Sequence, residues 1–165
     1  MRRDQSVIPR RNLRWLWLSV AVILLDQLTK QLASHLLEIH QPVSVAPYLN
    51  LTLTHNTGAA FSLLSDAGGW QRWLFVGLSV VVGIVIVGWL WRIPRGEHWL
   101  ACGLSLVLGG ALGNLWDRLA IGAVVDFIDV YYQGWHWPAF NVADSAICIG
   151  AVLLIISTFR ARPQE

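Results

Sequence analysis

Apolar residues dominate four stretches long enough to cross a bilayer core of about 30 Å, which takes roughly 20 helical residues. They run over about 13–32, 73–91, 99–119 and 142–159. Between them, Leu49, Leu51 and Leu53 alternate with Asn50, Thr52 and Thr54, the period of a half-buried strand. Pro42 and Pro47 break the chain before this segment, and Asn56-Thr57-Gly58 reads as a turn after it. A second polar-flanked segment holds Val124, Val125, Phe127, Ile128, Val130, Tyr131 and Tyr132. It reads as an amphipathic loop, apolar enough to lie against lipid or cap a bundle. The pattern predicts an all-α membrane protein: a four-transmembrane-helix bundle in one domain spanning 1–165, with a small β-cradle between the first two spans. The short link after Trp91 predicts an antiparallel hairpin of spans two and three.

Composition agrees. Of 165 residues, 55% are hydrophobic and 13% charged, against about 25% charged in ordinary soluble domains. This excludes a typical soluble enzyme and a disordered regulator. A formal charge of +2 implies no nucleic-acid partner. All ten tryptophans fall near a predicted span end, where an indole has one side in lipid and its N–H in water. The basic residues are divided unequally. Arg2, Arg3, Arg10, Arg11, Arg14, Arg92, Arg95, Arg160 and Arg162 lie on one side, and Lys30, Arg72 and Arg118 on the other. That bias places both termini in the cytoplasm and the loops at about 34–72 and 120–141 on the periplasmic side. The basic, apolar start also has the look of a secretory signal, but three further spans favour a retained first span.

Ionisable side chains in membrane spans are costly and therefore functional candidates. Asp26, Lys30, Asp117, Arg118, Asp126 and Asp144 all fall toward the same end of the predicted bundle. Asp26 and Lys30, spaced i, i+4, share a helix face. They form either a structural ion pair, with Lys30 alternatively snorkelling to the interface, or a cation beside a site. Asn114, Asp117 and Arg118 share one face of span three, downstream of Gly109, Gly110 and Gly113. They are either a polar helix end or support for a neighbouring site. Asp126 is a lone acid in an apolar run, and Asp144 falls in the first turn of span four, where free N–H groups favour an anion. Taken singly, each has a bland explanation. Two aspartates reaching one pocket would share a proton and could activate a water. A zinc site lacks ligand spacing, the two cysteines Cys102 and Cys148 form no framework, and no metal or cofactor is expected. A Ser–Lys arrangement using Lys30 with Ser62 or Ser145 has no supporting motif. A small proton- or ion-coupled transporter or channel subunit and a non-catalytic assembly subunit remain as alternatives from other classes.

Five motifs in order give the chain a specific likeness. These are Leu25-Asp26-Gln27 with Lys30, Asn56-Thr57-Gly58-Ala59-Ala60-Phe61, Gly109-Gly110 through Gly113-Asn114 to Asp117-Arg118, Val125-Asp126-Phe127, and Phe140-Asn141 with Ala143-Asp144. Over about Leu13 to Phe159 the sequence resembles the bacterial lipoprotein signal peptidases, or signal peptidase II. The resemblance implies an aspartic endopeptidase of the inner membrane that removes signal peptides from prolipoproteins carrying a diacylglyceryl-cysteine. It implies a catalytic dyad at Asp126 and Asp144. Asn56, Gly58, Asn114, Arg118 and Asn141 match positions that line the pocket or bind substrate and cyclic-peptide inhibitors of the globomycin type. Asp26, Lys30 and Asp117 match supporting positions. The expected partners are prolipoprotein and membrane lipid, and the expected state is a monomer.

Overall fold

The computed structural model describes residues 12–58, 68–94 and 96–160. Of the features singled out above, Ala59, Ala60, Phe61, Ser62 and the arginines at 2, 3, 10, 11, 95 and 162 lie outside the described residues. A short 3-10 turn, Leu13–Trp15, leads into helix α1, Leu16–Leu36. Strands β1, Val43–Ala46, and β2, Leu49–Asn56, precede α2, Trp70–Arg92. Then come α3, His98–Ala120, strands β3, Val124–Tyr132, and β4, Trp135–His136, and finally α4, Val142–Arg160. All four helices are long and apolar enough to cross a membrane. Leu24, Leu28, Leu78, Ile84, Ile149 and Val152 remain exposed along them. Such continuous apolar faces fit lipid rather than water.

Helix α3 is the centre of the bundle. Some 56% of its membrane-length stretch is inside the molecule, against 17% for α2, and α1, α2 and α4 all pack on it. Small residues permit this, because without a hydrophobic force between helices in lipid, close backbone approach supplies the packing. A Cβ at Gly110 would fall inside the contact distance of the Ala143 carbonyl oxygen and 2.7 Å from Ile147 Cγ1. A Cβ at Gly113 would sit 2.7 Å from Asp26 Oδ2. Away from the sheet, Ile86, Leu90, Ile93, Ala101, Leu104 and Leu108 form a buried core between α2 and α3. At that end Asn12 donates to the carbonyls of Ile93 and Pro94, at 3.1 and 2.7 Å, joining the start of α1 to the end of α2.

The strands form one antiparallel sheet in the order β1-β2-β3-β4. Two expectations change here. The segment read as an amphipathic loop is β3, paired with β2, and the prolines at 42 and 47 bracket an edge strand rather than only breaking the chain. In β3, Val124, Val125, Asp126 and Phe127 are all buried in succession, so the segment has two covered faces and lacks the alternation that marks a strand. In β2 the pairing register shifts between Leu51 and Thr54. Asn50 and Leu53 are the buried residues of that strand, so the interior face changes at the irregularity, as an extra residue requires.

At the sheet end, α1 and α3 are joined by a buried ion cluster. Lys30 Nζ lies 2.8 Å from Asp26 Oδ2 and 2.8 Å from Asp117 Oδ2, and donates to Asn114 Oδ1 at 2.8 Å. Lys30 is 3% exposed, so it does not snorkel; its three partners satisfy the ammonium inside the protein. Gln27 donates to Asp117 Oδ1 at 2.8 Å and to the Gly113 carbonyl at 3.2 Å.

Two outcomes are expected. Gly110→Val forces α3 from α4 and lowers stability by about 3 kcal/mol, read as a drop in melting temperature in detergent. Lys30→Met leaves two buried carboxylates without their cation and costs about 3–5 kcal/mol. Adding Asp26→Asn and Asp117→Asn to Lys30→Met recovers part of that loss in the same melt.

Candidate active site

Asp126 and Asp144 reach one cavity of about 550 Å³ from opposite elements. β3 carries Asp126, and the first turn of α4 carries Asp144. The cavity is also lined by Asn56, Asn114, Arg118 and the strip Trp137-Pro138-Ala139-Phe140, with Ile147 and Ile149 on the α4 side.

Asn141 joins the two acids. As the residue before α4, its side-chain oxygen accepts from the Asp144 amide at 2.9 Å, and its own amide donates to Asp144 Oδ2 at 3.3 Å. This reciprocal arrangement is a capping box, which satisfies helix-start N–H groups that lack intrahelical partners. Its side-chain nitrogen meanwhile lies 2.7 Å from Asp126 Oδ1 and 3.2 Å from the Val125 carbonyl oxygen. One buried amide therefore fixes both carboxyl groups.

The remaining carboxylate oxygens are also held. Asn114 Nδ2 donates to Asp144 Oδ1 at 2.8 Å, and Asn56 Nδ2 to Asp126 Oδ2 at 3.2 Å. Because Lys30 can only donate, its bond to Asn114 Oδ1 sets which way the Asn114 amide points. The free nitrogen then faces Asp144. Asp26 acts from α1 on α4 as well, its Oδ1 accepting from the Ala143 amide at 2.8 Å. Asp117 Oδ2 accepts from the Val125 amide at 3.2 Å, one residue before Asp126. Thus Asp26, Lys30 and Asp117 hold the elements that carry the acids and do not line the cavity.

Arg118 lies at the cavity edge, donating to the Gly58 carbonyl at 2.9 Å and to the Asn114 carbonyl at 3.4 Å, with its guanidinium over Phe75. Gly58 closes the turn after β2, its amide donating to Asn56 Oδ1 at 2.9 Å. Asp126 holds its proton more tightly than an exposed aspartate does. Burial, and then the nearby Asp144, push its pKa up to about 7, against the opposing hydrogen bonds from Asn56 and Asn141 and the charge of Lys30.

Among the described residues, the acids, asparagines, Gly58, Lys30 and Arg118 singled out from the sequence all lie at the cavity or in the network behind it, and Ser62 lies outside the described residues. Sequence reasoning missed three kinds of contributor. Gln27 is adjacent to Asp26 in a motif but received no role of its own. Of the Trp137–Phe140 wall, only Phe140 fell in a motif, and Trp137 counted only as an interfacial tryptophan. Asn50 and Asp129, joined at 3.0 Å, are buried beyond the site. Ser145 also lines the cavity, but its hydroxyl donates to the Asn141 carbonyl at 3.0 Å and Lys30 is committed to carboxylates. Among the described residues, no group of His, Cys, Asp and Glu has a metal-holding arrangement.

The site can be compared with known proteins. The sequence profile of the family described as Signal peptidase (SPase) II, peptidase family A8, matches residues 18–160. A lipoprotein signal peptidase of Acinetobacter baylyi is 57% identical over 154 residues, covering 93% of this chain and 86% of that protein. One from Pseudomonas putida is 54% identical over 156 residues, covering 93% and 91%. A solved bacterial membrane enzyme matches with a TM-score of 0.78 and 32% identity, covering 92% of this chain and 93% of that one. A chain with this fold, these motifs and these relatives belongs to the signal peptidase II family.

Proposed function

We propose that this multi-pass membrane protein is an aspartic endopeptidase that cleaves the signal peptide from diacylglyceryl-modified prolipoproteins, with Asp126 and Asp144 as the catalytic pair. The observation that carries the reading is the single cavity reached by both carboxyl groups, each oriented by buried amides. Family membership supports the substrate class.

The pair works as a unit, with one proton between its two acids. The ionised carboxyl takes a proton from the attacking water while the other protonates the scissile carbonyl oxygen, giving a tetrahedral diol without a covalent enzyme intermediate. Proton return to the amine then releases the signal peptide. Asn56 and Arg118, at the cavity rim, hold the substrate backbone. A substrate anchored by an apolar helix and acyl chains presents its cleavage point near the membrane surface, and the polar groups gather at one end of the bundle. In this reading the sheet end faces the periplasm, both termini face the cytoplasm, the membrane is the bacterial inner membrane, and the enzyme works as a monomer. Cyclic peptides of the globomycin type compete for the cavity.

Cleavage of a diacylglyceryl-modified prolipoprotein by purified protein, followed by gel shift, tests this reading. Asp126→Asn and Asp144→Asn should each reduce turnover by at least about 100-fold while remaining folded, and chelators should have no effect. Near-normal turnover in either variant removes that residue from the pair.

A second outcome follows from the raised Asp126 pKa. An unfolded aspartate ionises near 3.8, whereas the folded one does so at about 7. The folded state therefore binds the extra proton, and the stability linked to Asp126 is lost as pH rises from about 4 to about 7. Asp126→Asn should melt above wild type at pH 8, by on the order of 2 kcal/mol, with the gap narrowing toward pH 5. Equal melting temperatures at pH 8 would contradict a destabilised Asp126 carboxylate.

A further inference from the structure

Asp129 is a buried acid that the proposed chemistry leaves unused. It is 6% exposed, three residues beyond Asp126 on β3. Its Oδ2 accepts from Asn50 Nδ2 of β2 at 3.0 Å, and its two oxygens lie 2.8 and 3.0 Å from His136 Nδ1 of β4. The imidazole is half exposed and stacks on Tyr131, with centroids 5.4 Å apart and planes at 19°. Three strands thus meet through one carboxyl group.

The location gives this cluster its meaning. β3 and β4 are joined by a two-residue turn, Gln133-Gly134, with φ of 48° and 82°. Positive φ at both positions matches the tight hairpin turn that continues a strand's twist. After His136 the chain runs back along β3 as the strip Trp137–Phe140. Trp137 N donates to the Val130 carbonyl at 2.8 Å, and Phe140 N to the Ile128 carbonyl at 3.1 Å. Pro138, between them, has no N–H to give. All four residues of the strip line the cavity. The Phe140 carbonyl also accepts from the Phe127 and Ile128 amides, at 3.0 and 2.9 Å. The strip is therefore a cavity wall paired with β3 at its two ends, and the His136–Asp129 contact lies at the end where it leaves the hairpin. Asn141, at its other end, is held separately through Val125 and both catalytic acids.

We infer that Asp129 and His136 are positioning residues of the peptidase, tying the hairpin to β2 and holding the Trp137–Phe140 strip in place as the wall against which substrate seats. The inference rests on the peptidase reading, and it assigns the pair to substrate seating rather than to bond cleavage. Without His136, the buried Asp129 carboxylate loses its donor at Nδ1. The hairpin then opens to hydrate the acid, because a buried carboxylate tolerates loss of a partner poorly.

Kinetics of prolipoprotein cleavage and amide hydrogen exchange test it on the same purified proteins. His136→Phe keeps the stack on Tyr131 and removes the donor. It should raise KM by about tenfold with kcat within about twofold, and speed exchange at Trp137 by about tenfold while Phe140, held at the other end of the strip, changes less. His136→Asn keeps a donor near the Nδ1 position and should restore both values most of the way. The double variant Asp129→Asn, His136→Phe removes the buried charge and keeps an acceptor for Asn50, so it should regain melting temperature but not KM. The inference is overturned if His136→Phe leaves KM unchanged, lowers kcat instead, or if the double variant restores KM along with stability. Exchange is read without turnover. Inactive wild-type protein would defeat the peptidase reading, while protection at Trp137 would still decide whether the pair holds the wall.

Discussion

The buried ammonium of Lys30 is the constraint on which the site end of the molecule depends. Removing an ion from water costs several kcal/mol even after the protein relaxes. Lys30 can therefore stay inside only if acceptors surround it. Asp26 supplies one from its own helix, and Asp117 and Asn114 supply two from α3. Once α1 and α3 meet there, further contacts follow. The second oxygen of Asp26 holds the first turn of α4, Asp117 holds the start of β3, and the Asn114 amide turns its nitrogen toward Asp144. The charges that stabilise the bundle and those assigned to chemistry are thus separate sets, connected through Asn114.

This separation explains a contrast between the acids. Asp26 and Asp117 face a cation at 2.8 Å. The hydrogen bonds to Asp126 and Asp144 come instead from neutral amides, which orient a carboxyl group without adding the charge that would lock it ionised. A pair that exchanges a proton, as proposed for these two acids, needs orientation of this kind.

Much of the architecture was legible because its causes are local. Long apolar runs identified all four helices, and each boundary lies within a few residues of the expected one. The polar groups at one end were visible as departures from those runs. What escaped has physical reasons. β3 is covered on both faces, so its pattern resembles any short apolar run. The irregularity in β2 changes which side chains are buried, placing Asn50 inside where simple alternation puts it outside. The acids, the asparagines and Arg118 could be named in advance from the motifs, whereas most of the Trp137–Phe140 wall could not. The partnerships of the named residues could not, because Asn141 joins the acids through contacts with Asp126, fifteen positions earlier in the chain, and Lys30 finds Asn114 eighty-four positions away.

The close approach of α3 to α4 at Gly110 and Ala143 also has an evolutionary consequence. It fixes the helical side of the cavity, where Asn114, Asn141 and Asp144 hold the fold together and, in the proposed function, also serve the chemistry. A change that lets the protein evade a bound inhibitor on that side would damage its own architecture. The freedom to reshape the cavity lies instead in the side chains of the Trp137–Phe140 strip, whose ties to β3 are made by its backbone. Compounds that rely on the asparagines and aspartates would therefore leave few substitutions that keep the fold, whereas compounds that lean on the side chains of the strip would meet positions that carry less of it.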